Sequence, residues 1–338
     1  MSVDSPLVSV IIPVYRADAA LFEECIDSIR GQEGLEGRVE VCVIFDGEPD
    51  QRLLDACDRH GDGIVLHSSV RPHAGVSAAR NSGIDMASGY WLTFVDADDA
   101  LPPDGLSRLV EGARDADIVI GAHEVLYPNG TREVRRYRGE ARGRDGFCRD
   151  VLVPSRNIST IWGKLFKRSF VVSRGLRFDP ALTNGEDSDF VFRASLEAGR
   201  IGYVDAVAYL YRRTGESAVR GWKDDYADRI ERSMVAMKRT IERHGLEREY
   251  GRAYAAYVAY HLMLVLVHYL FNPGAPWDAG ERKQAYRAVL DKPVFRQALQ
   301  CCDLADFPVT RRVALLSLKY RIYPLSKLIG YVRQRQLG

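Results

Sequence analysis

The sequence predicts an α/β fold whose sheet begins with parallel strands. Short apolar runs rich in β-branched residues lie at 7–12, 39–45 and 64–67, as is typical of strands. Between those runs, residues 17–30 and 50–60 carry apolar side chains at helical spacing. Strands that alternate with helices form a parallel sheet, and such sheets bind ligands beyond the carboxyl ends of their strands.

Polar residues follow three of the predicted strands. Pro13-Val14-Tyr15 ends the first strand, Asp46 ends the second, and Asp96-Ala97-Asp98-Asp99 follows the apolar run 90–95. Three carboxylates at one sheet edge repel one another, so the cluster favours a bound cation. Carboxylate oxygens suit Mg²⁺ or Mn²⁺, which in turn hold phosphate oxygens. An acidic turn that caps the next helix is the alternative interpretation.

The next part of the chain continues the α/β pattern with less regularity. A helix is predicted over 104–114 and a strand over 118–121, and Pro128-Asn129-Gly130 predicts the turn of a hairpin. Residues 132–149 are rich in Arg and Gly and show little periodicity, which predicts a mobile loop or a solvated strand pair. Their arginines form a solvated face or meet a phosphate-bearing acceptor; the former is the commoner role of a charge run.

Composition excludes some classes of protein. A net charge of +1 over 338 residues argues against a broad nucleic-acid surface. The six cysteines include no C-x-x-C pair, which favours free thiols in a reducing cytosol. Residues 1–6 lack the basic and apolar regions of a signal peptide. These features predict a cytoplasmic protein.

From about residue 221 the pattern becomes mainly helical. Residues 253–271 carry no formal charge and predict a buried helix, with a membrane span as the alternative. The tail 309–338 carries seven Lys or Arg and no acid, with apolar residues at helical spacing. This pattern favours peripheral contact with an anionic membrane surface, and a packed helix with a basic outer face is the alternative. Pro324 is expected to break or kink the tail.

Four segments together resemble family 2 glycosyltransferases with the GT-A fold, a Rossmann-like domain of nucleotide-diphospho-sugar transferases. They are Val8–Tyr15, which is similar to the opening strand of that family; Gly75–Ile84, which contains Ala-Arg-Asn-Ser-Gly-Ile; Phe94–Asp99; and Gly185–Arg193. Their order and spacing also match, and the resemblance covers about residues 7–217. One departure is Phe45, which stands where the family often has the first Asp of Asp-Asp-Gly-Ser.

The resemblance implies an inverting, metal-dependent enzyme that moves a sugar from a nucleotide-sugar, UDP-linked in the leading interpretation, to a hydroxyl of a glycan, polymer or lipid-linked acceptor. Asp98 is then the ligand of Mn²⁺ or Mg²⁺, and Asp96 contacts the ribose or a metal-bound water. Asp46 accepts a hydrogen bond from the nucleotide base. Pro13 and Tyr15 frame the pocket for that nucleotide base.

The same resemblance gives candidates for phosphate binding and catalysis. Asp187 is the general base, with Glu186 beside it, and both also suit the start of a helix, where acids favour the dipole. Arg212 belongs to a segment, 211–217, that closes over the diphosphate. Arg80 follows Gly75 on a helix and can present a planar fork to phosphate, whereas an ion pair with Asp85 is its structural alternative.

Some neighbouring residues have weaker assignments. Arg193 is expected to pair with a nearby acid. Trp162 either borders the acceptor site, as in the resembled family, or packs in the core.

These assignments predict a domain over 1–220, with a nucleotide-binding half at 1–100 and an acceptor half at 101–220, followed by a helical region at 221–338. Two other functions remain open from the sequence. A catalytically inactive, membrane-associated scaffold is disfavoured by the intact Asp98 and Asp187. A sugar nucleotidyltransferase is disfavoured because residues 10–25 lack a Gly-rich loop.

Overall fold

The computed structural model describes residues 6–59, 64–137, 143–156, 158–213 and 221–337. The chain divides into two compact units. The first comprises Met1–Val151 and Arg156–Gly215, and the second comprises Leu152–Ser155 and Glu216–Gly338. The boundary predicted at residue 220 falls among residues 214–220, which lie outside the described ranges.

The first unit contains all the strands of the described chain and seven α-helices. The strands are β1 (Val8–Val14), β2 (Val39–Asp46), β3 (Val65–Arg71), β4 (Trp91–Phe94), β5 (Ile118–Leu126), β6 (Arg132–Arg135), β7 (Lys164–Lys167) and β8 (Ile201–Arg212). The helices are α1 (Ala19–Arg30), α2 (Gln51–Arg59), α3 (Val76–Met86), α4 (Gly105–Ala113), α5 (Arg144–Val151), α6 (Arg168–Ser173) and α7 (Glu186–Glu197).

The strands form one mixed sheet. Its order is β3-β2-β1-β4-β7-β5-β6, and β8 pairs with β5. The parallel pairing predicted from the sequence holds for β1 to β4. The remaining pairings are mixed. β7 runs antiparallel to both β4 and β5, whereas β8 runs parallel to β5. The strand β6 runs antiparallel to β5, as the hairpin turn predicted at Pro128-Asn129-Gly130 requires.

The strands at the centre of the parallel half are buried, and its edge strand is not. Every residue of β2 is buried, as expected for a strand covered on both faces. β3 pairs only with β2, and its Val65 and Val70 are exposed. Pro13 does not stop β1, since it lies within that strand, opposite Ile44. The pairing of β1 with β4 ends at Ile11, so β1 has a paired strand on only one side at Pro13, where a proline is tolerated.

The prediction for residues 132–149 was partly wrong. β6 is a solvated strand, as one of the two alternatives had it. Residues 144–151 instead form α5, which buries Phe147 and Cys148. Those two side chains supply an apolar face that the surrounding charges obscured. Residues 138–142 lie outside the described ranges.

The second unit is helical. Its helices are α8 (Tyr226–Arg243), α9 (Glu247–Val265), α10 (Ala279–Asp291), α11 (Pro293–Cys301), α12 (Val309–Lys319) and α13 (Tyr323–Leu337). A π-helical turn, Leu266–Leu270, continues α9. Short 3₁₀ turns lie at Pro154–Arg156 and Leu304–Asp306. Pro324 lies in the first turn of α13, where a proline is tolerated, and α12 ends before it.

The stretch Glu247–Leu270 is long and apolar enough to cross a membrane by length and composition alone, and half of its most apolar window is buried inside the protein. Tyr257, Val258 and Leu262 are among its buried residues. The core helix of a globular protein has the same features, so this stretch is weak evidence for a span.

Candidate active site

The acidic segment after β4 is a turn in which each carboxylate has a different environment. The backbone N–H of Asp99 donates to the carbonyl oxygen of Asp96 at 3.0 Å and closes the turn. Asp98 is exposed, Asp96 is half-buried, and Asp99 is buried. One sequence pattern, D-x-D-D, therefore gives two carboxylates that can meet a ligand and one that cannot.

Asp99 ties the acidic turn to β8. Its Oδ2 accepts from the hydroxyl of Tyr209 at 2.7 Å, and its Oδ1 accepts from the backbone N–H of Arg212 at 2.7 Å. The Tyr209 hydroxyl also accepts from the backbone N–H of Asp96 at 3.1 Å. Burial, reinforced by the charge of Asp96, raises the pKa of Asp99 to about 8. Burial and the same charge raise the pKa of Asp98.

Arg80 lies at the centre of a cluster of carboxylates. It is buried on α3. Its Nη1 donates to Asp187 Oδ1 at 2.6 Å and lies 3.6 Å from Glu186 Oε1. Its Nη2 donates to Asp96 Oδ1 at 3.1 Å. Burial opposes the charge, but the carboxylates of Asp187, Asp96 and Glu186 outweigh it and raise the pKa of Arg80.

The structure shows that the suggested pair of Arg80 with Asp85 is wrong. Asp85 instead accepts from Arg177 at 2.8 Å. Asn81, the next residue of α3, exchanges two hydrogen bonds with the backbone of Phe178, at 2.9 and 2.8 Å. The Arg80 guanidinium lies 5.3 Å over the Phe178 ring. These contacts fix the helix that presents Arg80 to the acids.

Glu186 and Asp187 form the first turn of α7. Gly185 precedes them with a φ of 74°, a left-handed conformation that favours glycine. The backbone N–H of Ile161 donates to Asp187 Oδ2 at 3.1 Å. Burial raises the pKa of Asp187, and the charge of Arg80 opposes that shift. Burial, followed by the charge of Asp187, raises the pKa of Glu186 to about 7.

Lys164 is a buried cation on β7 beside this cluster. Its Nζ donates to the carbonyl oxygens of Thr160 at 2.6 Å and Trp162 at 3.4 Å. It thereby holds the loop whose Ile161 amide binds Asp187. Burial lowers the pKa of Lys164 to about 7, and the charge of Asp187 opposes that shift.

Asp46 lies at the carboxyl end of β2, where the sequence places it. Its oxygens accept from the backbone N–H groups of Ala74 at 3.0 Å and Gly75 at 2.8 Å. Arg71 Nη1 lies 3.3 Å from Oδ1, and His73 Nδ1 lies 2.7 Å from Oδ2. The carboxylate is buried and organises the loop that starts α3.

An aromatic pair lies beside Asp46. Tyr15 stacks on His73 with a ring separation of 4.1 Å and an interplanar angle of 16°. Tyr15 is 48% exposed, so one edge of this pair is accessible to a planar ligand. A Cβ on Gly47 would lie 3.7 Å from both the Tyr15 ring and the His73 Cβ, and the φ of 119° at Gly47 also favours glycine.

Three further sequence candidates have packing or ion-pair roles. Arg212 Nη1 lies 2.5 Å from Glu24 Oε2. Arg193 pairs with Asp189 at 2.7 Å, as expected. Trp162 is buried and stacks on Tyr209 at 4.6 Å, which favours the core interpretation for its side chain.

Among the predicted site residues, the fold brings Arg80, Asp96, Glu186 and Asp187 into one cluster. Asp46 and Tyr15 share the loop region that contains His73. Lys164 and His73 also belong to this region, although the sequence assigned neither of them a role. A lysine inside the apolar segment Ile161–Phe166 is a signal for a buried cation, and His73 follows the third strand at the ligand-binding edge.

The acidic turn fits a divalent cation in part. Asp96 and Asp98 supply hard oxygen ligands. Burial, followed by the charge of Asp96, raises the pKa of Asp98, and a cation would relieve the repulsion between the two carboxylates. Within the described ranges, no group of three or more His, Cys, Asp or Glu side chains is arranged to hold a metal. The remaining ligands would have to be water and substrate oxygens, as is usual for Mg²⁺ at phosphate sites.

Comparison with known proteins agrees with this architecture. Residues 9–173 match the family model described as Glycosyl transferase family 2. The uncharacterized glycosyltransferase EpsJ of Bacillus subtilis is 27% identical over 360 residues, which span 98% of each chain. The putative glycosyltransferase EpsH of the same organism is 24% identical over 347 residues, spanning 98% of this chain and 97% of that one.

The solved structures show the same fold. The crystal structure of S. aureus TarS 1-349 in complex with UDP-GlcNAc has a TM-score of 0.67 at 17% identity, covering 98% of this chain and 92% of that one. The mixed sheet and the acidic site thus define a glycosyltransferase of the GT-A class. More specifically, residues 9–173 form a domain of glycosyl transferase family 2.

Proposed function

We propose that the protein is an inverting, metal-dependent glycosyltransferase that uses a UDP-sugar and has Asp187 as its general base. The observation that carries the proposal is the buried arginine that joins Asp187 to Asp96. A carboxylate for the acceptor hydroxyl and a carboxylate for the donor side are thereby held at a fixed separation. Direct displacement at an anomeric carbon requires this kind of arrangement, with base and leaving group on opposite sides.

The environment of Asp187 suits a base. A useful base has a pKa raised toward neutrality, and burial moves the pKa of Asp187 in that direction. The Ile161 amide fixes one carboxylate oxygen, and Arg80 binds the other. The acceptor hydroxyl has to approach this second oxygen, so we expect Arg80 to shift toward phosphate when the donor binds.

We place the nucleotide-sugar donor at the edge of the sheet, beside the Tyr15–His73 pair and the acidic turn after β4. Tyr15 and Pro13 frame the base, with Asp46 and His73 beside them, and Arg212 lies on the strand tied to the acidic turn. Asp98, with Asp96 nearby, would hold Mn²⁺ or Mg²⁺, which when bound supplies Lewis-acid stabilisation of the leaving diphosphate. TarS structures with UDP and UDP-GlcNAc support the choice of nucleotide.

The acceptor is proposed at the level of class only: a hydroxyl of a glycan, polymer or lipid-linked carrier. A relative from Bacillus spizizenii, 28% identical over 217 residues, is described as a poly(ribitol-phosphate) beta-glucosyltransferase. Peripheral binding to an anionic membrane through 309–338 belongs to the same proposal. Seven exposed large apolar residues of the described chain lie in this tail: Val309, Val313, Tyr320, Ile322, Leu328, Tyr331 and Val332.

A donor screen tests the proposal directly. The purified protein is titrated with UDP, GDP and CDP with and without Mn²⁺, and slow hydrolysis of a panel of nucleotide-sugars is then measured. Metal-dependent binding of UDP and release of UDP from one sugar donor are expected. Failure to bind any nucleoside diphosphate would instead favour an inactive scaffold.

A further inference from the structure

The helical unit contains a cavity of about 420 Å³ between the end of α9, the π-helical turn, α12 and α13. This volume lies within the range of about 300–1,000 Å³ that is usual for small-molecule sites. Apolar side chains form most of its lining: Met263, Leu264, Leu266, Val267, Ala314 and Ile329. The polar lining residues are Tyr260, His268, Arg311 and Arg333.

The polar lining is positively charged. It has two guanidinium groups and no carboxylate. The guanidinium of Arg311 lies 5.0 Å over the ring of Tyr260. A guanidinium carries five N–H donors in a planar fork, which can bind an anion. Burial lowers the pKa of His268, so the charge at neutral pH comes from Arg311 and Arg333.

The backbone of α9 changes where it reaches the cavity. The π-helical turn Leu266–Leu270 interrupts regular α-helical hydrogen bonding and contributes Leu266, Val267 and His268 to the wall. Such turns are rare and occur frequently at functional sites. This backbone feature is independent of the charge pattern and marks the same place.

We propose that this cavity binds one chain of an anionic bilayer phospholipid, whose phosphate contacts Arg311 and Arg333. An alkyl chain suits the apolar wall, and a phosphate suits the two guanidinium groups of the polar lining. A bilayer is the favoured source because exposed apolar residues, Val309 and Val313 on α12 and Leu328 on α13, lie on the same two helices. The inference deepens the proposed membrane association of residues 309–338 by adding a stoichiometric site.

The test compares two pairs of charge substitutions in the full chain. R311Q/R333Q removes the two lining arginines. K319Q/R335Q removes the same charge from the same two helices at exposed positions that do not line the cavity. Binding of monomeric lysophosphatidylglycerol is measured by calorimetry, with lysophosphatidylcholine and inorganic phosphate as separate ligands. Thermal unfolding of each variant verifies that it is folded.

We expect saturable binding of one lysophosphatidylglycerol, weakened about tenfold or more in R311Q/R333Q and less than about twofold in K319Q/R335Q, since charge-assisted hydrogen bonds are short-range. Hydrogen exchange on the wild-type protein should show protection of 260–268 by the same lipid, a result that depends on no variant. Equal losses in both pairs, equally tight binding of inorganic phosphate, or no binding by the wild type would each overturn the site. Vesicle co-sedimentation that falls equally in both pairs would leave only the general membrane association.

Discussion

Arg80 Nη1 donates to Asp187 Oδ1 at 2.6 Å, although the two residues are 107 positions apart in the chain. The same guanidinium reaches Asp96 through Nη2. Arg80 therefore compensates two carboxylates that have different proposed roles, one for the acceptor and one for the donor. Its buried position makes this compensation strong, because little water competes for the charges.

Replacing Arg80 by Met is expected to destabilise the fold and abolish transfer. The variant leaves carboxylates without their buried cation, and breaking a buried ion pair costs about 3–5 kcal/mol. Urea unfolding measures the loss. R177M is the matched control, since its pair with Asp85 is largely exposed and is worth about 0–1 kcal/mol. Similar stability losses in the two variants would contradict the central role of Arg80.

Asp187→Asn is expected to keep donor binding and lose about 10²–10⁴-fold in kcat, because a base acts on the acceptor hydroxyl only in the transition state. Steady-state kinetics measure the expected loss of kcat, and a UDP titration measures whether donor binding is kept. Asn serves nearly as well as Asp at a helix start. A variant with near wild-type turnover would leave only the helix-start role and move the search for the base to Glu186.

Asp98→Asn is expected to weaken Mn²⁺-dependent UDP binding and to reduce transfer by at least about 10²-fold, because loss of Lewis-acid stabilisation costs several kcal/mol. Manganese binding followed by electron paramagnetic resonance gives a readout that does not depend on turnover. D104N removes an exposed carboxylate six residues later and serves as the control. Unchanged metal dependence in D98N would reject the assignment.

Glu186→Gln is expected to change the pH dependence of stability. Burial, followed by the charge of Asp187, raises the pKa of Glu186 from an ordinary value of 4.5 to about 7, so the native state binds more protons between these values. The wild type therefore loses stability as pH rises from about 4.5 to 7, and Gln removes this loss. The free energy of unfolding of E186Q minus that of the wild type should be about 1–3 kcal/mol larger at pH 7.5 than at pH 4.5, so the variant is relatively more stable at the higher pH. E197Q controls for removing a carboxylate from α7; an equal E186Q difference at both pH values would refute the shift.

Tyr15→Ala is expected to weaken UDP binding without changing kcat at saturating donor. Stacking of a base on an aromatic ring is worth about 1–3 kcal/mol, which corresponds to roughly five-fold or more in Kd. Fluorescence titration measures it, and Y320A is the control for removing an exposed tyrosine. Equal affinities of Y15A and Y320A for UDP would show that the nucleotide base does not stack on Tyr15.

The sequence by itself determined the resemblance to the family, the α/β fold class and the positions of the first four strands along the chain. These features are encoded locally, since apolar periodicity sets strands and helices and each motif is a continuous run such as Asp96–Asp99. The prediction from local pattern was wrong at residues 144–151. These residues form α5, but their many charges obscured the apolar face made by Phe147 and Cys148. The pairing of β7 with β4 was not predicted either, because this antiparallel pairing joins segments that lie far apart in the chain.

Only the tertiary structure decided which charges meet. Sequence spacing offered Asp85 as the partner of Arg80, whereas packing of α3 against the segment around Phe178 turns Arg80 toward Asp187. Burial likewise set the raised pKa of Asp99 and the lowered pKa of Lys164. The free energy of a charge depends on its distance from other charges and from water, and those distances are fixed by the packing of elements remote in sequence.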